Sequence, residues 1–169
     1  MSHDPVPAQG ALLAADLFAD YAGLGATGRL ALNIKADGLQ HMLLAALHEA
    51  TIPVTQVFAF DMSVPDALGY LKTGCPAYTR LSEYETEPAF LTAAAGVWID
   101  NFTGDFPQIA AARRYLATGH RVALVSPELH GRPHGCLWKA VRDAGLHRHD
   151  AFEICTDFPN EAFDFLGTE

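Results

Sequence analysis

The amino-acid sequence predicts an α/β fold with six parallel strands. Short apolar runs alternate with segments of helical spacing along the chain, and polar or charged residues follow almost every run. Half of the 169 residues are hydrophobic, enough to bury a sizeable core in one domain spanning 1–169. Alternation of strand and helix calls for crossover connections between parallel strands, which leaves a doubly wound sheet or a barrel.

The runs read as strands are RLALNIK (29–35), VTQVFAF (54–60), AYTRLSE (77–83), GVWID (96–100), RVALVS (121–126) and AFEICTD (151–157). After the first, Leu39, Met42, Leu43, Ala46 and Leu47 fall on one face of an amphipathic helix, with Asp37 placed to cap it. After the second, SVPD supplies Ser63 as N-cap, Pro65 in the first turn and Asp66 at N3, opening a helix that ends near Gly74. A shorter segment with room for about two turns starts at Pro88. Another helix covers 106–118 with Ile109, Ala112 and Leu116 inward, and GCLWKAVRDAG makes one more, stopped by Gly145. GLGATG (23–28) precedes a strand instead of following one, so no helix N-terminus stands ready to hold a phosphate, and it reads as a loop.

Composition excludes several classes. A net charge of -9 without a basic cluster repels a phosphate backbone, so no nucleic-acid partner is expected. No apolar run spans a bilayer and no signal peptide is visible, which predicts a cytoplasmic chain without a transmembrane segment. Cys75, Cys136 and Cys155 are odd in number and lack C-x-x-C spacing, so they read as reduced packing residues.

In a parallel barrel, chemistry gathers at the C-terminal ends of the strands. Here those ends carry Asn33 and Lys35; Asp61; Arg80, Ser82 and Glu83; Asp100 and Asn101; Ser126, Glu128 and His130; Thr156 and Asp157. Asp61, Asp100 and Asp157 suit two roles, helix cap or site residue. Lys35 and Arg80 suit a cap poorly, because a cation beside a helix N-terminus is disfavoured unless an anion lies between; they read as phosphate or carboxylate binders. His130 and His134 flank a Gly-Arg pair and read as solvated loop histidines, and HRHD (147–150) reads as surface.

The residues SHDP, LNIK, VFAFD, TRLSEYE, GVWID, SPELHGR and CTDFP, in this order, resemble the glycerophosphodiester phosphodiesterase family of the phospholipase-C-like phosphodiesterases. The resemblance covers nearly the whole chain. It implies a TIM-type (β/α) barrel that hydrolyses a phosphodiester with two histidines and a divalent cation, Mg or Ca, held by carboxylates. His3 matches the family's second catalytic histidine, Asp4 its neighbour, and Lys35 a strand lysine that faces the phosphate. Asn33 stands where a metal-binding Glu is expected; with Asp4 it is the weak candidate for a metal ligand, since an amide oxygen brings no negative charge. Arg80, Glu83, Asp61 and Glu128 are the expected substrate-binding residues.

The family's His-Arg-Gly and Glu-x-Asp motifs do not occur in this sequence. If His3 is the family histidine, the barrel is N-terminally truncated, the six strands are the third to the eighth, and either the coding start is assigned too late or the front end is lost. In a complete member the cation polarises a phosphate oxygen, one histidine deprotonates the nucleophile and the other protonates the leaving alkoxide. Lys35 and Arg80 stabilise charge on the phosphoryl oxygens.

For this chain the expectation is a small-molecule phosphodiester as ligand, weak or no hydrolysis by itself, a divalent cation if it is active and no cofactor if it is not. Homo-oligomerisation through exposed strand edges is expected as well. The competing reading is a noncatalytic protein that binds a phosphate ligand or a lipid headgroup. An unrelated open α/β hydrolase would need a nucleophile elbow, which the sequence lacks.

Overall fold

A computed structural model of the chain describes residues 11–167. The chain divides into two compact units, Met1–Ala77 and Tyr78–Glu169. All six expected strands are present and each ladder is parallel, as an α/β fold of this alternation requires.

The first unit pairs β1 (Leu30–Asn33) with β2 (Val57–Phe60) in register from Leu30↔Val57 to Asn33↔Phe60. Leu32, Ile34, Val57 and Ala59 bury one face against Phe18 of α1 (Ala14–Gly23), Leu47 of α2 (Gln40–Glu49) and Tyr70 of α3 (Val64–Lys72). Because side chains alternate along a strand, Asn33 lies on the opposite face and is exposed. Ser63 caps α3 as the sequence predicts, accepting the Asp66 N–H at 3.3 Å. Two expectations fail here. Asp37 does not cap α2, whose N-cap is Leu39 with no side-chain bond. Met42 is 70% exposed, because the stripe that packs is Leu43, Ala46 and Leu47, turned away from residue 42.

The second unit is a four-stranded sheet ordered β3 (Tyr78–Leu81), β4 (Gly96–Ile99), β5 (Arg121–Val125) and β6 (Phe152–Cys155). The order follows the chain and never reverses, unlike the strand order at the switch point of a doubly wound sheet. Leu81, Val97, Ile99, Val122 and Leu124 share one face and form a core with Ala112, Tyr115 and Leu116 of α4 (Gln108–Ala117) and Val141 of α5 (Gly135–Asp143). By the ladder register, Tyr78, Gly96, Trp98, Arg121, Ala123 and Glu153 lie on the other face.

One hydrogen bond crosses that second face. The Tyr78 hydroxyl donates to Glu153 at 2.9 Å, although β3 and β6 are three strand spacings apart, about 14 Å in a flat sheet. The Tyr78 side chain leans across β4 to reach it. Gly96 lies beneath the Tyr78 ring, where a Cβ would come within 2.5 Å of the ring carbons.

The helix expected from Pro88 does not form. Residues 88–95 make turns in which Ala93 and Ala94 bond back to the Phe90 carbonyl, and Phe90 itself sits at φ 43, outside the helical region. Two helices have no counterpart in the sequence reading, α1 and α6 (Pro159–Gly167). Among the described residues no helix is long and apolar enough to cross a membrane.

Candidate functional site

In the first unit the strand ends bring together two expected site residues. Lys35, just past β1, donates from Nζ to the carboxylate of Asp61, just past β2, whose backbone is left-handed at φ 70. Asp61 therefore does not cap α3; Ser63 holds that position, and the positive φ turns the Asp61 carboxylate to the lysine. Asp66 ties the loop after β1 to α3 by accepting the Gly38 N–H at 2.9 Å and a bond from the Gln40 amide. His3 and Asp4 lie outside the described residues.

In the second unit a chain of bonds links the loops past all four strands. After β3, Arg80 donates from Nε to Glu85, and Glu83 Oε1 accepts the Thr103 N–H at 2.6 Å and the Thr103 hydroxyl at 2.9 Å. Burial pushes the Glu83 carboxyl up, but the Thr103 backbone and hydroxyl bonds outweigh it and hold its pKa below 4.5.

After β4, Asp100 is buried and its Oδ1 accepts the Asn101 N–H at 2.8 Å and faces His130 Nε2 at 2.7 Å. Asn101 stitches its own loop, accepting the Gly104 N–H at 2.8 Å and bonding Gln108 at 3.3 Å, while Gln108 donates to the Val125 carbonyl at 2.9 Å. Asp100 does not cap α4, whose N-cap is Pro107.

After β5, Ser126 is fully buried, receives the Trp138 indole N–H at 2.8 Å and donates to Glu128. Glu128 also accepts the Thr156 hydroxyl and the Asp157 N–H at 3.2 Å, which joins the ends of β5 and β6. His134 Nδ1 stands 3.9 Å from Glu128, its ring 3.9 Å from that of Trp138 and 5.3 Å from that of Phe158. The two loop histidines are therefore only partly solvated, where their sequence neighbourhood suggests open loop positions. His130 is braced by a buried carboxylate and packs 4.9 Å from Phe102, and His134 is stacked. The partner of His130 lies in another loop, thirty residues away at Asp100, so no local sequence pattern reveals it, whereas His134 stacks on Trp138 only four residues on.

Glu128 makes a pH-dependent contribution. Burial raises its pKa, but the Ser126 and Thr156 hydroxyls, with the backbone, more than offset this and lower it from 4.5. A depressed carboxylate stabilises the fold above its unfolded pKa, and the contribution is lost as pH falls through the folded value. Between pH 7 and about 3.5, wild type is expected to lose more stability than Glu128→Gln in urea titrations; equal losses would show that the carboxylate contributes nothing.

Two of the cysteines are poor nucleophiles, because burial pushes the Cys75 and Cys155 thiols up to about 11. Cys136 is exposed and also free. Among the described residues no three His, Cys, Asp or Glu side chains are placed to hold a metal ion. Asn33 is exposed and Asp61 is engaged by Lys35. Compared with family models, curated proteins and solved structures, the chain matches none.

Proposed function

We propose that the chain acts on phosphate esters, as a phosphoric diester hydrolase of the glycerophosphodiester phosphodiesterase type built on a TIM-type (β/α) barrel. One observation carries the reading: acids, histidines and cations collect at the C-terminal ends of parallel strands laid down in chain order. The barrel reading draws on the chain-order sheet and on helices α4 and α5, which share one of its faces. With the His-Arg-Gly and Glu-x-Asp motifs missing from the sequence, hydrolysis by residues 1–169 alone is expected to be weak or absent.

A second reading, a noncatalytic protein for a phosphate ligand or lipid headgroup, is favoured by Asn33 in place of an acid. Strand edges such as β6, half-buried along its length, are where a second copy would add.

The deciding measurement is turnover of glycerophosphodiesters and bis(p-nitrophenyl) phosphate with Mg or Ca, beside calorimetric binding of sn-glycerol 3-phosphate. Binding with slow or no turnover is the expected result. Robust turnover that His3→Ala abolishes would establish the hydrolase and overturn the expected weakness. Absence of both binding and turnover would refute both readings.

A further inference from the structure

We propose that Arg132 and His130, on the loop after β5, form an anion subsite that takes the phosphoryl group of a phosphate ester whose alcohol is planar and apolar, lying along Phe102 and Tyr84. The phosphate class rests on the reading above; the subsite rests on the geometry of the second unit.

Charge is the first argument. Lys35, Arg80, Arg121 and Lys139 each meet a carboxylate. Arg132 does not: among the described residues its guanidinium donates from Nη2 to the Asn101 carbonyl, and its Nε is buried without a partner. A neutral carbonyl fixes the guanidinium in place without cancelling its charge, and with Nη2 engaged and Nε buried, Nη1 is the donor left for an oxyanion. Neither sequence candidate for this role, Lys35 or Arg80, is in that state.

The imidazole is the second. Asp100 Oδ1 at 2.7 Å from Nε2 fixes the His130 ring, so its other nitrogen, Nδ1, is the atom left for a ligand. The His130 side chain is 22% exposed, against 11% for Asp100, so a ligand reaches the ring while the carboxylate stays behind it.

The two groups are also near each other. They flank Gly131, whose φ of 69 closes the turn, and they brace on consecutive residues, Asp100 and Asn101. Gly104 leaves room beside the guanidinium, since a Cβ there would lie 2.8 Å from Nη1. The neighbouring acids are already satisfied in part by neutral donors, Glu83 by Thr103 and Glu128 by Ser126 and Thr156, which moderates their repulsion of an anion.

The ledge sets the alcohol. Phe102 packs 4.9 Å from His130 and 5.7 Å from Tyr84, and Phe102 and Tyr84 are 38% and 71% exposed. Rings left in solvent beside an anchored cation and an imidazole favour a flat apolar group over a polyol.

The test is calorimetric titration of the full chain with phenyl phosphate and sn-glycerol 3-phosphate. Phenyl phosphate is expected to bind about tenfold more tightly, the ratio one aromatic pair supplies. Arg132→Gln and His130→Gln should each weaken phenyl phosphate by about tenfold or more. The side-chain amide introduced by His130→Gln keeps a donor for Asp100, so a purely structural histidine would be rescued by it. Tyr84→Ala, a change at a largely solvent-exposed ring, should erase the aryl preference even if the loop variants fold poorly. Equal affinity for the two esters, or wild-type binding by both Gln variants, overturns the subsite. Binding that depends on Lys35 but not on Arg132 or His130 would sink the subsite and leave the phosphate-ester reading standing. No binding of either ester would sink both.

Discussion

Trp138→Ala is expected to cost about 3–5 kcal/mol of stability, the range for truncating a large buried aromatic. The indole is 3% exposed and packs on His134 and on Phe165 of α6, so its removal opens a cavity where α5 meets the loop after β5. It also deletes the donor to Ser126 Oγ, the buried hydroxyl that in turn donates to Glu128. Trp138→Phe separates the two effects. It keeps most of the ring volume and removes the N–H, and is expected to cost about 1–3 kcal/mol, the desolvation penalty of one unsatisfied buried group. Urea unfolding monitored by far-UV circular dichroism measures both. If the Phe variant matches wild type, Ser126 needs no donor from the helix and Glu128 is oriented by Thr156 and the backbone alone.

The part of this fold that can be read from sequence is the part set by local pattern. Short apolar runs mark the strands, and Ser63 at the head of a helix is recognised by hydroxyl chemistry three residues from its target. Failures occur where a distant partner decides. Met42 has the spacing of an inward residue but faces solvent, because tertiary packing rotates α2 toward Leu43 and Leu47. The segment after Pro88 has helix-forming residues, yet Phe90 at φ 43 breaks the turn.

The site follows the same division. That Lys35, Asp61, Glu83, Asp100 and Glu128 end strands is visible in one dimension. Which acid meets which base is not. Asp100 braces His130 across thirty residues, and Glu128 accepts from Thr156 across twenty-eight. Arg132 gives no sequence signal at all, since the carbonyl that holds it belongs to Asn101, thirty-one residues away.

Gly96→Ala is expected to destabilise the second unit by about 1–3 kcal/mol, although alanine is normally the gentlest replacement for glycine. Gly96 does not sit in the left-handed region, so backbone strain is not the cause. The obstacle is the Tyr78 ring, three of whose carbons would stand 2.5, 2.6 and 2.9 Å from the new Cβ. That ring cannot move aside cheaply: it is 2% exposed and tethered through its hydroxyl to Glu153, which also holds Arg121 at 2.9 Å. Displacing it breaks the bond across this face of the sheet and leaves a partly buried carboxylate with one partner fewer.

The double variant Tyr78→Leu with Gly96→Ala distinguishes steric conflict from a general intolerance at position 96. If the ring is the obstacle, adding Gly96→Ala to Tyr78→Leu should cost well under about 1 kcal/mol, so the two changes are non-additive by most of the single-variant penalty. Additive costs in the same denaturation series would mean that the methyl group meets something other than the ring.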